Sequence, residues 1–209
     1  MEKAEFETSV FINCPFDGDF APLLQAMLFC LIYLKLTPRI ASESNDSASV
    51  RLHKIMALIR TAKFSIHDLS RIQAKNKGEF YRLNMPFELG LDYGCREYGD
   101  GRFAGKRLLI LEQVARQYQA GLSDLAGCDI QVHGGQFDVV IRKVRNWLVS
   151  EAGIKAPGAS RIIDRYALFQ KWYYEGQLTA GFDEKDIRDY PTAELLAAMT
   201  EWMALGMPV

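Results

Sequence analysis

The stretch NMPFELGLDYG, Asn84 to Gly94, places one carboxylate, Glu88, among Met85, Pro86, Phe87 and Leu89 where a helix is expected to begin. Two readings follow. An acid near a helix N-terminus gains about 0.3–1 kcal/mol from the helix dipole and needs no other role. An acid in apolar company is partly desolvated, which raises its pKa or demands fixed donors, and which strips water from a nucleophile. A second acid, Asp68, closes the run KFSIHDLS. It can cap the turn after a strand, or face Glu88 across a cleft, one carboxylate orienting substrate or shuttling a proton while the other attacks or stabilises a cation.

Further candidates gather around these two. The first apolar run, SVFIN, ends in Asn13, Cys14, Pro15, Phe16 and Asp17; Ser70 follows Asp68; Asn84 and Pro86 precede Glu88. In doubly wound sheets ligands bind outside the carboxyl ends of the strands, so these residues are expected on one rim as substrate-binding groups. Arg51 opens the second amphipathic helix behind an acid-bearing loop. It suits a salt bridge to Asp46 or Glu43, or a clamp on a phosphate or carboxylate. Arg71, Lys75, Lys77 and Arg82 lie on a long basic connection, a solvated lid or a partner for nucleotide phosphates. Side chains alternate along a strand, so His67 is expected inside the sheet layer if Asp68 faces the rim. His53 reads as structural, and His133, before a Gly-Gly pair, as a minor pocket candidate.

Several chemistries are excluded. No Walker A, G-x-G-x-x-G, G-x-S-x-G or H-E-x-x-H pattern occurs. The four cysteines, Cys14, Cys30, Cys95 and Cys128, contain no C-x-x-C pair, so no metal or redox cofactor is expected. They read as reduced thiols of a cytoplasmic protein, because the first ten residues lack a signal-peptide order. With 25 basic and 26 acidic residues the net charge is -1, which gives no electrostatic case for a nucleic-acid or anionic membrane partner. The most apolar run, Leu23 to Leu34, is too short to span a bilayer.

The elements that position these residues alternate. Strands are expected at Ser9–Asn13, Thr37–Ala41, KFSIHDLS, KRLLILE and, more weakly, DIQVH. Helices are expected at Phe20–Lys35, Val50–Ala62, from Pro86 onward, and over QFDVVIRKVRNWLVSE. Ser42 to Ser49 is rich in capping residues. Alternation implies crossover connections and a parallel sheet covered on both faces. About five strands predict an α/β, flavodoxin-like doubly wound sheet over residues 1–153. Residues 154–209 read as a helical appendage, with helices near Arg161–Gln177 and Pro191–Leu205, that packs back on the sheet domain or makes a homo-oligomer contact.

Three phrases in order, VFINCPFDGDF, ASVRLHKIMALIRTAKFSIHDLSR and NMPFELGLDYG, resemble nucleoside 2-deoxyribosyltransferases and the distant TIR-like domains that cleave the N-glycosidic bond of NAD. The phrases SIHDLS, MPFELG and SDLAGCDIQVHGG are most similar to bacterial TIR-like, nucleotide-binding proteins. The resemblance spans about Val10 to Leu148. It implies that Glu88 is the nucleophilic or cation-stabilising glutamate, that Asp68 helps hold sugar or base, and that Asn13, Pro15 and Phe16 line the nucleobase side. It departs from the transferases in the basic loop ending YRLNM and in the C-terminal helices. The implied activity is N-glycosidic cleavage or transfer on a nucleoside or nucleotide such as NAD, in bacterial signalling or phage defence. The alternative is a non-catalytic nucleotide sensor that signals through its C-terminal helices.

Overall fold

The computed structural model describes residues 2–43, 46–74, 77–78, 82–189 and 191–208. Lys75, expected on the basic loop, lies outside them. Five strands form one sheet: β1 (Ser9–Asn13), β2 (Thr37–Ile40), β3 (Phe64–Asp68), β4 (Arg107–Glu112) and β5 (Gln131–Val132). Every pairing is parallel and the spatial order is β2-β1-β3-β4-β5, the flavodoxin-like arrangement. β1 and β3 are buried at every position, as strands covered on both faces must be.

Helices α2 (Ala21–Tyr33) and α5 (Phe137–Ala152) cover one face, and α3 (Arg51–Thr61) and α4 (Asn84–Tyr98) the other. Strand alternation sorts the core. Val10, Ile12, Phe64, Ile66, Leu109 and Leu111 join the α2/α5 side, whereas Phe11 meets α3 and Ile110 meets α4. A helix absent from the sequence reading, α1 (Glu2–Thr8), precedes β1 and is tied by the Lys63–Glu7 ion pair and the Lys63 N–H donating to Phe6 O.

α2 is apolar almost all round because both of its sides are covered. Beyond the sheet lie α6 (Ala159–Thr179), the short α7 (Glu184–Arg188) and α8 (Thr192–Ala204). Phe29 of α2 meets Tyr166, Phe169 and Trp202 with ring centroids 5.2, 5.6 and 5.9 Å away. Ile162, Tyr166, Phe169, Leu195, Met199 and Trp202 belong to the same buried cluster as the sheet residues. The segment after residue 153 therefore packs back on the sheet domain and completes its core.

Two local expectations change. β5 has only two residues, not the five of DIQVH, because the preceding chain turns on itself: Cys128 N–H donates to Leu125 O and Ile130 N–H to Cys128 O. Among the described residues the polar loop before α3 supplies no side-chain cap; the cap residue is Val50, and Asp46 instead accepts from Ala48 N–H.

Truncating Phe29 leaves a cavity among the rings of Tyr33, Tyr166, Phe169 and Trp202. Phe29→Ala is expected to lower the unfolding free energy in urea by about 3–5 kcal/mol. Tyr98→Ala, at a residue 91% exposed, is expected to change it by less than about 0.5 kcal/mol.

Candidate functional site

The site begins with a buried polar chain beneath it. Asn13 Nδ2 donates to Met85 O (2.9 Å) and lies 3.1 Å from His67 Nδ1; both amide hydrogens are thus used. His67 Nδ1 is then the acceptor and Nε2–H donates to Asp92 Oδ2 at 3.0 Å. Lys106 Nζ stands 3.1 Å from Asp92 Oδ1, an ion pair whose geometry falls short of a hydrogen bond. It donates to Ile59 O (2.8 Å) and Ala62 O at the end of α3. His67, Asp92 and Lys106 are wholly buried. Burial works to raise the Asp92 pKa, but the His67 hydrogen bond and the Lys106 charge outweigh it, so the group lies below the ordinary carboxylate value. His67 is thus inside the sheet layer, as alternation required.

This chain fixes the start of α4, and Glu88 follows Met85 by one turn. The helix begins at Asn84 with Leu83 as cap, and no acid lies in its first turn. Glu88 sits in the second turn, where the dipole effect has faded, so the helix-start reading does not account for it. Its residue is 6% exposed, and among the described residues no hydrogen bond or ion pair engages its carboxylate. Burial raises its pKa, and the Arg51 charge partly offsets this. Arg51 lies 5.9 Å from the centre of the Phe16 ring, which is 43% exposed. The salt bridges expected for Arg51 do not form: Arg39 takes Glu43, and Asp46 closes its own turn.

Cys14 joins the two acids. Burial raises its pKa, as do the charges of Asp68, Glu88 and Asp17 in that order. The thiol therefore stays protonated and is no thiolate nucleophile. One buried side chain feeling all three carboxylates places them around a common rim at the strand ends.

The other two acids are already occupied. Asp17 accepts both Arg71 Nε and Nη2 at 3.1 Å and Phe20 N–H at 3.1 Å, with Arg82 Nη1 at 3.3 Å. The Arg71 hydrogen bonds chiefly hold its pKa below the ordinary value. Asp17 is thus a tether for both ends of the basic connection, and Arg71 and Arg82 are not a freely solvated lid; Lys77 is exposed. Asp68 accepts from Ser70 N–H (2.9 Å) and lies 3.0 Å from His133 Nε2. Gly135 N–H donates to His133 Nδ1, so the imidazole proton sits on Nε2 and points at Asp68. Ser70 Oγ lies 3.1 Å from that same nitrogen. Serine and aspartate on one protonated nitrogen do not make a relay, in which they occupy opposite sides of the ring. Asp68 also lies on the sheet face of Ile66, away from α4, with both oxygens engaged. It is a positioning group for His133 and not an acid free to act opposite Glu88.

The predicted residues thus divide. Phe16, Arg51 and Glu88 come together, with Cys14 behind them. Asn13, Asp17, Asp68 and Ser70 reach the same rim but spend their polar atoms on protein partners. Pro15 is buried and Asn84 exposed. Pro86 points elsewhere, into a cavity of about 360 Å³ bounded by Ile72, Leu83, Gln117 and Leu122. His133 carries more of the architecture than the sequence suggested; its signal was the Gly134–Gly135 pair, both at positive φ, which folds the backbone onto its ring. Among the described residues no group of three or more metal-ligating side chains is arranged to hold an ion, and no helix is long and apolar enough to cross a membrane.

No family model, curated protein or solved structure matches the chain.

Removing one member of a buried pair strands the other. Lys106→Met is expected to cost about 3–5 kcal/mol in urea unfolding, and Asp92→Asn combined with Lys106→Met less than Lys106→Met alone. Because the folded pKa of Asp92 is lowered, its contribution is present above the ordinary value of 3.8 and is lost as pH falls through the folded value. Asp92→Asn should flatten that acid limb.

Proposed function

We propose that this protein cleaves or transfers across the N-glycosidic bond of a nucleotide, with Glu88 as the carboxylate at the anomeric carbon. The observation that carries this reading is that Glu88 is the one rim acid left without a direct partner among the described residues, at 6% exposure. Bond breaking builds positive charge on the sugar, as in glycoside hydrolysis. A half-dry carboxylate stabilises that charge or captures the sugar covalently. Phe16 offers an apolar ring to a base, and Arg51 beside it offers a guanidinium to phosphate or ribose.

The commitment of Asp68 and Asp17 narrows the substrate. Departure of a purine as a neutral base requires a proton donor. A pyridinium base such as nicotinamide leaves with the bonding electrons and becomes neutral without one. A single free carboxylate therefore suits NAD better than an ordinary nucleoside.

A second reading is favoured by the same commitment. Without a free second acid the rim resembles a nucleotide sensor that binds and does not cleave. Its signal would pass through the C-terminal helices, which share the core of α2.

Incubation with NAD, adenosine and deoxyadenosine distinguishes them. Release of nicotinamide from NAD, little base from the nucleosides, and loss of at least about a hundredfold in Glu88→Gln are expected. Thermal stabilisation by NAD with no product, retained in Glu88→Gln, supports the sensor. Neither product nor stabilisation overturns both. The rate should rise with pH through an inflection above the ordinary glutamate value of 4.5, because the ionised form acts and burial raises its pKa. A raised folded pKa means the native state holds its proton longer, so stability declines as pH rises from 4.5 through the folded value. Glu88→Gln should abolish that decline.

A further inference from the structure

The end of the sheet away from Glu88 carries an unfinished edge. β5 pairs with β4 only at Leu111–Gln131 and Glu112–Val132. Arg107 N–H donates to Lys63 O and Leu111 O accepts from Leu69 N–H, so odd-numbered residues of β4 face β3. Leu108 and Ile110 consequently aim their backbone groups outward, where among the described residues no strand lies beside Leu108. The length of β4 left open, from Arg107 to the Ile110 N–H, is about 10 Å, because the Ile110 carbonyl is already taken by the Leu111–Gln131 pairing. It forms the floor of a groove of about 660 Å³.

The groove has two walls. On the α4 side stand Tyr93, 41% exposed, and Arg96, whose guanidinium lies 4.6 Å from the Tyr93 ring centre. On the α5 side stand Lys143 and the half-buried Trp147, the latter edge-on to Phe64 at 5.9 Å. Each wall thus pairs an aromatic ring with a cation. Arg107 and Glu151 neutralise one another at 3.3 Å, and Arg96 meets Glu97 at its outer edge. Apart from the Arg107–Glu151 pair, the groove is lined by Arg96, by Lys143, whose ammonium donates to Gln131 Oε1 at 3.0 Å, and by the carboxylate of Asp129, a surplus of one positive charge among the lining residues.

We propose that the open edge of β4 is a strand-addition site for an extended, acidic segment of a partner protein. Unmade backbone hydrogen bonds on a strand edge specify another strand. An added strand sends alternate side chains to opposite faces, one set toward Tyr93 and Arg96 and the other toward Trp147 and Lys143. Carboxylates on apolar stems complement both walls. The site is independent of Glu88 and of the reading given to it.

The test uses amide hydrogen exchange on the full chain with two probes, the acidic peptide Ac-Thr-Glu-Val-Glu-Val-Glu-Thr-NH2 and its lysine counterpart. In the free protein the Leu108 amide should exchange faster than that of Leu109, which faces β3. The acidic peptide should slow Leu108 and Ile110 exchange at least about tenfold, and the lysine peptide should bind more weakly. Leu108→Pro removes only an outward N–H, which an edge tolerates; with its melting temperature retained, it should bind the acidic peptide about tenfold more weakly. If that variant does not fold, Trp147→Glu, which opposes the acidic probe on one wall, should give the same loss. Leu108 and Leu109 equally protected in the free protein, no added protection from the acidic peptide, or equal binding of both peptides overturns the proposal. Protection that grows with protein concentration alone overturns it too, because the edge is then an interface between copies.

Discussion

One line of buried polar contacts holds the rim at the strand ends in place. It runs from the carbonyls ending α3 through Lys106, Asp92 and His67 to Asn13, and from Asn13 to the Met85 carbonyl at the start of α4. Buried charge is tolerated only when paired and hydrogen-bonded, and each member here needs the next. The line joins β1 and β3 to Lys106, the residue before β4, so the sheet cannot slide past α3 or α4 without exposing an unmatched charge to an apolar interior. That constraint explains why Glu88 can be kept half-dry without a bonded partner of its own: its backbone is held by Met85, one turn earlier, and not by its carboxylate.

The rim shows how a fold assigns different tasks to like residues. Asp17, Asp68 and Glu88 all act on the Cys14 thiol, yet among the described residues only Glu88 has no bonded partner. Asp17 takes two arginines and a backbone N–H; Asp68 takes a histidine and a backbone N–H. Engaged in this way, they shape the loop and the glycine turn. Glu88, facing Arg51 at longer range, keeps the raised pKa that a desolvated carboxyl acquires.

Much of the scaffold was legible because its signals are local. SVFIN, FSIHD and RLLILE are short apolar runs, and alternation with amphipathic helices demanded a parallel, doubly wound sheet. Strand parity also placed His67 inward. Partner choice over long separations was not legible. Nothing near Asp68 announces His133, 65 residues later, and nothing near His67 announces Asp92 or Lys106. Arg51 had two acids within easy reach, and only the coordinates show that Arg39 claims Glu43. The brevity of β5 escaped notice because a tight turn at Cys128 to Ile130 competes with the alternating pattern of DIQVH. α1 lacks a strong apolar stripe and is held by contacts to residue 63.

The position of α2 bears on how the chain is made. This helix is apolar on the side facing the sheet and on the side facing α6 and α8, and those covering helices leave the ribosome after every strand of the sheet. While they are still being synthesised, a nascent sheet domain carries a greasy flank that only chaperones or solvent can meet. Burial of that flank is thereby deferred until α8 has emerged, and the sheet and its covering helices reach their shared core together.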